Sequence, residues 1–221
     1  MLEDALCILN VFENHNFEAY IVGGYPRDKY LNIFSEDFDI CTNALPEEVA
    51  KLFKKVDLSY SNFGRADIYL KGHIYQVTTF RKDICYDEKR MPTISYVKNL
   101  ADDLKRRDFT INTLAIDSKG NYVDICGAKD DMDKKIIKTV KNANESIIED
   151  PLRILRALRF SIKLGFNLDE ELEVAINSHK ELLKNISNKK INDEITKMFV
   201  INKKAALALL TKYNLEKYVN L

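Results

Sequence analysis

The stretch Tyr20-Ile21-Val22-Gly23-Gly24-Tyr25-Pro26-Arg27, followed ten residues later by Asp37-Phe38-Asp39, restricts the fold more than any other part of the chain. An apolar, strand-like run ends in two glycines and enters a helix with proline near its first turn. Glycine lets backbone N–H groups approach an anion closely, and a helix N-terminus favours negative charge. Arg27 adds a cation within the same turn. On an extended segment, residues i and i+2 project to one face, so Asp37 and Asp39 crowd two like charges. That crowding favours a shared proton or a bound cation. An Asp-x-Asp pair alone is a common exposed strand end. Beside Gly23, Gly24 and Arg27 it reads as a Mg²⁺ pair next to a phosphate cradle, the apparatus of phosphoryl or nucleotidyl transfer.

The rest of the chain divides by periodicity. Leu2, Ala5, Leu6, Leu9 and Phe12 predict an amphipathic helix over 2–14. Strands are expected at 18–22, 37–41, 65–70, 73–80 and 122–125, and helices at 26–32 and from Pro46. Residues 81–105 are charged and aperiodic and read as a mobile loop. Strand signals stop after about residue 140. Helices are expected over 150–164, 169–179, 189–201 and 203–213. The layout is α+β over 1–137, followed by an all-helical part over 138–221.

Charge sharpens that division. Lys+Arg and Asp+Glu are both 34, which argues against a protein that coats nucleic acid by charge alone. Residues 138–221 hold 15 basic and 11 acidic residues, so the C-terminal part is the mildly basic one. The four cysteines are scattered without a C-x-x-C pair. They read as small buried hydrophobes in a reducing, cytoplasmic setting rather than as a disulfide framework or zinc site. The three histidines are scattered too. No apolar run approaches a membrane span, and the acidic N-terminus is not a signal peptide.

Two further motifs carry chemistry. In Arg106-Arg107-Asp108-Phe109-Thr110, Arg107 is expected near phosphate or ribose and Asp108 on a sugar hydroxyl. In Glu149-Asp150-Pro151-Leu152-Arg153, Asp150 has the character of an N-cap, with Pro151 at the first helical position. Arg153, Arg156 and Arg159 repeat at i+3 with few acids beside them, a stripe that asks for an anion such as a triphosphate or RNA backbone. Asp150 accepts hydrogen bonds and Arg153 donates them. Side by side they match the donor-acceptor edges of cytosine and adenine and mismatch those of uracil and guanine. The mismatch leaves polar groups unsatisfied.

Taken together, VGGYPRDKYLN, EDFDICTNALPEEV, VTTFRKD, RRDFTINTLAID and EDPLRILRALRFSIKLGF resemble the class II tRNA nucleotidyltransferases (CCA-adding enzymes) and the related bacterial poly(A) polymerases. The resemblance covers roughly residues 18–170. It implies a polymerase-β-like catalytic head and a helical neck, extending tRNA 3′ ends from CTP and/or ATP with Mg²⁺ by a two-metal-type in-line attack of the RNA 3′-OH and releasing pyrophosphate. It further implies Asp37 and Asp39 as metal-binding catalytic residues. Gly23, Gly24, Arg27, Arg107 and Asp108 would contact the nucleotide. Asp150 and Arg153 would read the base, with Arg156 and Arg159 lining the same pocket. Residues 82–98 resemble a flexible loop that helps switch from C to A addition. A-adding or poly(A) activity is the alternative, and a truncated, non-catalytic nucleotide-binding module a further one. The chain departs from the family pattern at Pro26, at Gln76, where an acid is usual, and in lacking body and tail domains. Asp67 is the nearby acid that could substitute for the one at 76. RNA grip is then expected from the basic neck, a homo-oligomer or a separate RNA-binding subunit.

Overall fold

The computed structural model describes residues 1–86 and 92–219. The chain packs as two compact units: Met1–Arg107 with Asn112–Ala128, and Asp108–Ile111 with Lys129–Leu221.

The first unit opens with α1 (Leu2–Asn14), β1 (Ala19–Val22), α2 (Gly24–Tyr30), β2 (Asp39–Thr42) and α3 (Pro46–Leu52). It continues through β3 (Val56–Asp57), β4 (Arg65–Leu70), β5 (His73–Thr79), β6 (Arg81–Tyr86), β7 (Pro92–Tyr96), α4 (Leu100–Lys105), β8 (Ala115–Ile116) and β9 (Tyr122–Val123). Seven strands form one mixed sheet in the order β3-β4-β5-β2-β1-β8-β9. β2 lies antiparallel to β1 and parallel to β5. A parallel neighbour needs a crossover, which α3, β3 and β4 supply.

Side chains alternate across each strand. Ile21, Ile40, Ile68, Tyr75 and Val77 fall in one buried layer and pack with Ala5, Ile8, Leu9 and Phe12 of α1. Burying each large apolar side chain contributes about 1.5–3 kcal/mol, so this layer anchors the sheet. The same alternation sends Asp39, Cys41, Arg65, Asp67 and Gln76 to the opposite face. There Val22, Cys41 and Phe80 pack with Leu100 and Leu104 of α4.

The expected mobile loop at 81–105 is a correction. β6 and β7 pair as an antiparallel ribbon whose register shifts between Asp83 and Cys85. A shift of that kind breaks the period-two pattern that would betray strands. Residues 87–91 of that stretch, within the expected switching loop at 82–98, lie outside the described residues. α4 follows, with the Asn99 side chain accepting the Asp102 N–H at 2.9 Å. Cys7 is exposed rather than buried, whereas burial pushes the Cys41 thiol far up.

The second unit is mainly helical: α5 (Ala128–Asp133, whose first residue belongs to the first unit), β10 (Ile136–Ile137), α6 (Ala143–Glu149), α7 (Arg153–Leu164), β11 (Asn167–Leu168), α8 (Glu170–His179) and α9 (Asn188–Lys212). β11, unforeseen because it is two residues long, pairs in parallel with β10. That pairing carries the residues around 136 with the helical part. A bridge between Phe109 and Thr139 does the same for Asp108–Ile111. α6 packs on α8 and α7 on α9. α9 is broken at Asn202, whose backbone is extended (φ −163, ψ 98). The Asn202 side chain accepts the Ala205 N–H at 3.0 Å and restarts the helix. Asp150 terminates α6 instead of directly capping a helix that begins at Pro151. Its carboxylate accepts the Leu152 N–H at 2.9 Å, and regular helix resumes at Arg153. Among the described residues no helix is long and apolar enough to cross a membrane.

Candidate active site

Phe38 explains how the acid pair is aimed. Its ring is 7% exposed and packs tilted on Tyr25, centroids 4.2 Å apart, and on Tyr75 at 6.4 Å. With Phe38 driven into the core, its two neighbours project to the other side of the extended chain. Asp39 opens β2, while Asp37 lies in the exposed segment just before it. The strand expected from 37 therefore begins two residues later.

Across the sheet, Asp39 is in register with Val22 of β1 and with Gln76 of β5. Val22 leads directly into Gly23, which has φ +80. A methyl group at Gly23 would sit 3.0 Å from Asp39 Oδ2. Glycine is thus needed both for its left-handed backbone and for the carboxylate lying against it.

Burial raises the Asp39 carboxyl to about 6, and the Asp37 charge adds to the rise, while Arg107 and Arg65 oppose it. Neither Asp37 nor Asp39 has a side-chain hydrogen bond or ion pair among the described residues. Their surroundings are built otherwise. A cleft of about 360 Å³ is lined by Asp39, Arg65, Gln76, Arg81, Arg106 and Arg107 together with Tyr60 and Phe63. Arg106 Nε and Arg107 Nη2 donate to the fully buried Asp103 at 2.9 and 3.1 Å. Burial works against the Asp103 charge, yet the two guanidinium groups prevail and hold its carboxyl below the usual range. Arg107 Nε, also buried, has no hydrogen-bond partner among the described residues. Arg65 grips Asp67 with two hydrogen bonds, 2.6 and 2.7 Å long.

This donor set suits a hard divalent ion. Mg²⁺ uses one or two carboxylates and completes its shell with water and phosphate oxygens. Asp39 lines the arginine-walled cleft, and the exposed Asp37, two residues before it, supplies a second carboxylate short of counter-charge. No cluster of three or more His, Cys, Asp or Glu arranged for a metal occurs among the described residues.

Arg27 differs from expectation. It is 3% exposed, with its guanidinium bound to Asp28 and Asn112. It lies beneath the glycine turn, Nη2 3.5 Å from where a Gly24 Cβ would be, and is no open cation.

In the second unit each arginine of the stripe has a carboxylate partner, where the sequence shows few acids alongside. Arg153 is 4% exposed and donates to Ser146 Oγ at 2.7 Å and Glu149 Oε2 at 3.2 Å. Arg156 Nε and Nη2 both donate to Asp108 Oδ2, Nε at 2.9 Å. Arg159 donates to Glu194 at 2.6 Å. Two of the three acids that the sequence leaves out of sight, Asp108 and Glu194, come from residues far away along the chain. Asp108 therefore belongs with the arginines of α7, while its neighbour Arg107 belongs to the first unit.

Sequence reasoning missed Arg65, Arg81 and Arg106, which line the cleft, and the buried Asp103 that holds Arg106 and Arg107. Asp103 stands four residues before Arg107, a helical spacing for an ion pair that is legible in the sequence. Arg65 and Arg81 become visible only once strand register is known.

The Poly A polymerase head domain family matches residues 19–138, and the family described as the probable RNA and SrmB-binding site of polymerase A matches 165–220. A CCA-adding enzyme of Lactobacillus helveticus is 43% identical over 195 residues, covering 88% of this chain and 49% of that protein. The crystal structure of Bacillus stearothermophilus CCA-adding enzyme in complex with CTP superposes with a TM-score of 0.90 at 38% identity, over 97% of this chain and 53% of that one. Thermotoga maritima CCA-adding enzyme complexed with tRNA matches with a TM-score of 0.81 at 25% identity, over 97% of this chain and 51% of that one. The chain spans about half the length of the curated relatives it matches. Since the head match alone takes in more than half of its residues, and that region carries the sheet, the glycine turn and the acid pair, the chain belongs to the Poly A polymerase head domain family.

Proposed function

We propose that the chain is the catalytic head and neck of a template-independent RNA nucleotidyltransferase that adds C and A from CTP and ATP to tRNA 3′ ends. The observation that carries this reading is the Asp37/Asp39 pair, crowded, partly buried and short of counter-charge beside a cleft walled by arginines. The kinship with CCA-adding enzymes, among them structures solved with CTP and with tRNA, supports it.

Asp37 and Asp39 would hold Mg²⁺, which when bound would supply charge neutralisation at the transferring phosphoryl group. The backbone N–H groups of Gly23 and Gly24 receive the triphosphate, with Arg27 adding its charge from beneath the turn. Arg107, whose Nε–H makes no hydrogen bond among the described residues, donates to phosphate or ribose. The RNA 3′-oxygen bonds to the α-phosphorus in line as the bond to the bridging oxygen breaks and pyrophosphate leaves. In the neck, Asp150 and Arg153 select the base. Ser146 and Glu149 hold the Arg153 guanidinium in one orientation, as a donor-acceptor match requires. Arg156 and Arg159 line that pocket as oriented, charge-balanced walls, and Asp108 orients Arg156 as well as serving the sugar. The partner is RNA, the tRNA 3′ end, in the cytoplasm.

The test is incubation with tRNA lacking its CCA end and each labelled nucleoside triphosphate. CMP and AMP enter the RNA; UMP and GMP do not. Entry of AMP alone would favour the A-adding or poly(A) alternative. Equal use of all four would remove Asp150 and Arg153 as the base-reading pair.

A further inference from the structure

Strand register raises a question about charge that the acid pair alone does not. Asp39, Gln76 and Asp67 form a row across β2, β5 and β4: Asp39 is paired with Gln76, and Gln76 with Asp67. All three project to the cleft face. Neighbouring strands are about 4.8 Å apart, so Gln76 lies one strand from Asp39 and Asp67 roughly 10 Å away. The two ions of a two-metal site sit about 3.5–4 Å apart. Gln76 is therefore at a distance from which a side chain can share an ion with Asp39, and Asp67 is not. Asp67 is unsuited on a second count: it is 6% exposed and both its oxygens are taken by Arg65.

The position beside Asp39 is thus held by a neutral amide whose side chain makes no hydrogen bond among the described residues, although it lines the cleft. An amide oxygen can accept or ligate, but the group carries no charge and takes up no proton. We infer that Gln76 makes this a site for a single firmly held divalent ion, and that its amide orients the attacking 3′-hydroxyl without deprotonating it. Val22 and Gly23 flank Asp39 on one side and Gln76 on the other. If the triphosphate occupies the glycine side, in-line displacement brings the attacking oxygen from the Gln76 side. The hydroxyl proton then passes to solvent hydroxide, forming water, as the O–P bond forms and pyrophosphate departs. A carboxylate at 76 would complete three acids around two ion positions, the charge that a second ion requires.

This inference rests on the nucleotidyl-transfer reading, and the experiment separates the two. Bound Mn²⁺ is counted by electron paramagnetic resonance on the whole chain saturated with a non-hydrolysable α,β-methylene CTP analogue. The wild type is expected to hold one ion per chain and Gln76→Glu two. Gln76→Leu is expected to keep one ion while lowering kcat for primer extension about tenfold. Two ions on the wild type, or one on Gln76→Glu, overturns the assignment of Gln76 while leaving the nucleotidyl-transfer reading intact. The wild-type count decides even if a variant fails to fold. No protein-dependent Mn²⁺, with the wild type indistinguishable from Asp39→Asn, contradicts the nucleotidyl-transfer reading itself.

Discussion

As sequence, the acid pair of the first unit and the arginine stripe of the helical unit are alike: short repeats of one charge with little local counter-charge. Folded, they are opposites. Each arginine of α7 meets a carboxylate, Arg153 with Glu149, Arg156 with Asp108 and Arg159 with Glu194. Asp37 and Asp39 meet none among the described residues, and Asp39 is pushed up to about 6 by burial and by Asp37. The two regions differ in where charge is left unbalanced. A balanced cluster is a rigid wall that keeps donors oriented. An unbalanced one stores unfavourable energy that a ligand of opposite charge relieves, and such sites are favoured for function.

The comparison can be broken first at Arg156. If its charge balances the buried Asp108, Arg156→Ala strands that carboxylate and costs about 3 kcal/mol of stability, read as a lower urea midpoint. A stability change near zero would mean that the arginine is an open cation after all. Next comes Gly23→Ala, which forces a β-carbon into a left-handed backbone and against Asp39 Oδ2. Strain alone costs about 1–2 kcal/mol, and extension should slow more than the fold weakens. Unchanged extension would show that the turn does not position Asp39.

The pH dependence gives a smaller effect with opposite sign in the two regions. Burial raises the Glu194 carboxyl, but Lys197 and Arg159 outweigh it and leave it below the usual value. Such a group stabilises the fold above its unfolded pKa, near 4.5, and that contribution is lost as pH falls through its folded value. Asp39 runs the other way: its contribution is present below about 4 and is lost as pH rises through 6. In metal-free protein, Glu194→Gln should flatten the acid side of a Tm profile, and Asp39→Asn should flatten the fall between about pH 4 and 6. Arg159→Ala has the smallest effect, about 1 kcal/mol, because Lys197 still faces Glu194 at 2.9 Å.

How much can be read from sequence follows from the range of each interaction. The glycine turn, the acid pair and the helices of the second unit are local patterns, and the structure has them within a few residues. The ribbon at β6 and β7 escapes because its register shift interrupts alternation. The partners of two arginines are invisible because Asp108 and Glu194 lie 48 and 35 residues from the arginines they bind. Arg27 is a mixed case: its charged partner Asp28 is the next residue and legible in the sequence, whereas its second partner Asn112 is 85 residues away. The neutrality of position 76 is legible, but that Gln76 stands beside Asp39 is a fact of register.

The most direct test sets activity against stability in one variant. Asp39→Asn keeps the shape of the side chain and removes its charge. At pH 7 without added metal, the account predicts that this variant is more stable than wild type by about 1–2 kcal/mol and melts higher, because an uncompensated carboxylate is gone. It also predicts that the variant extends tRNA lacking CCA about 1,000-fold more slowly in Mg²⁺. Extension at the wild-type rate, or a lower melting point at pH 7, would contradict the claim that this pair is held out of balance for the ion that serves nucleotidyl transfer.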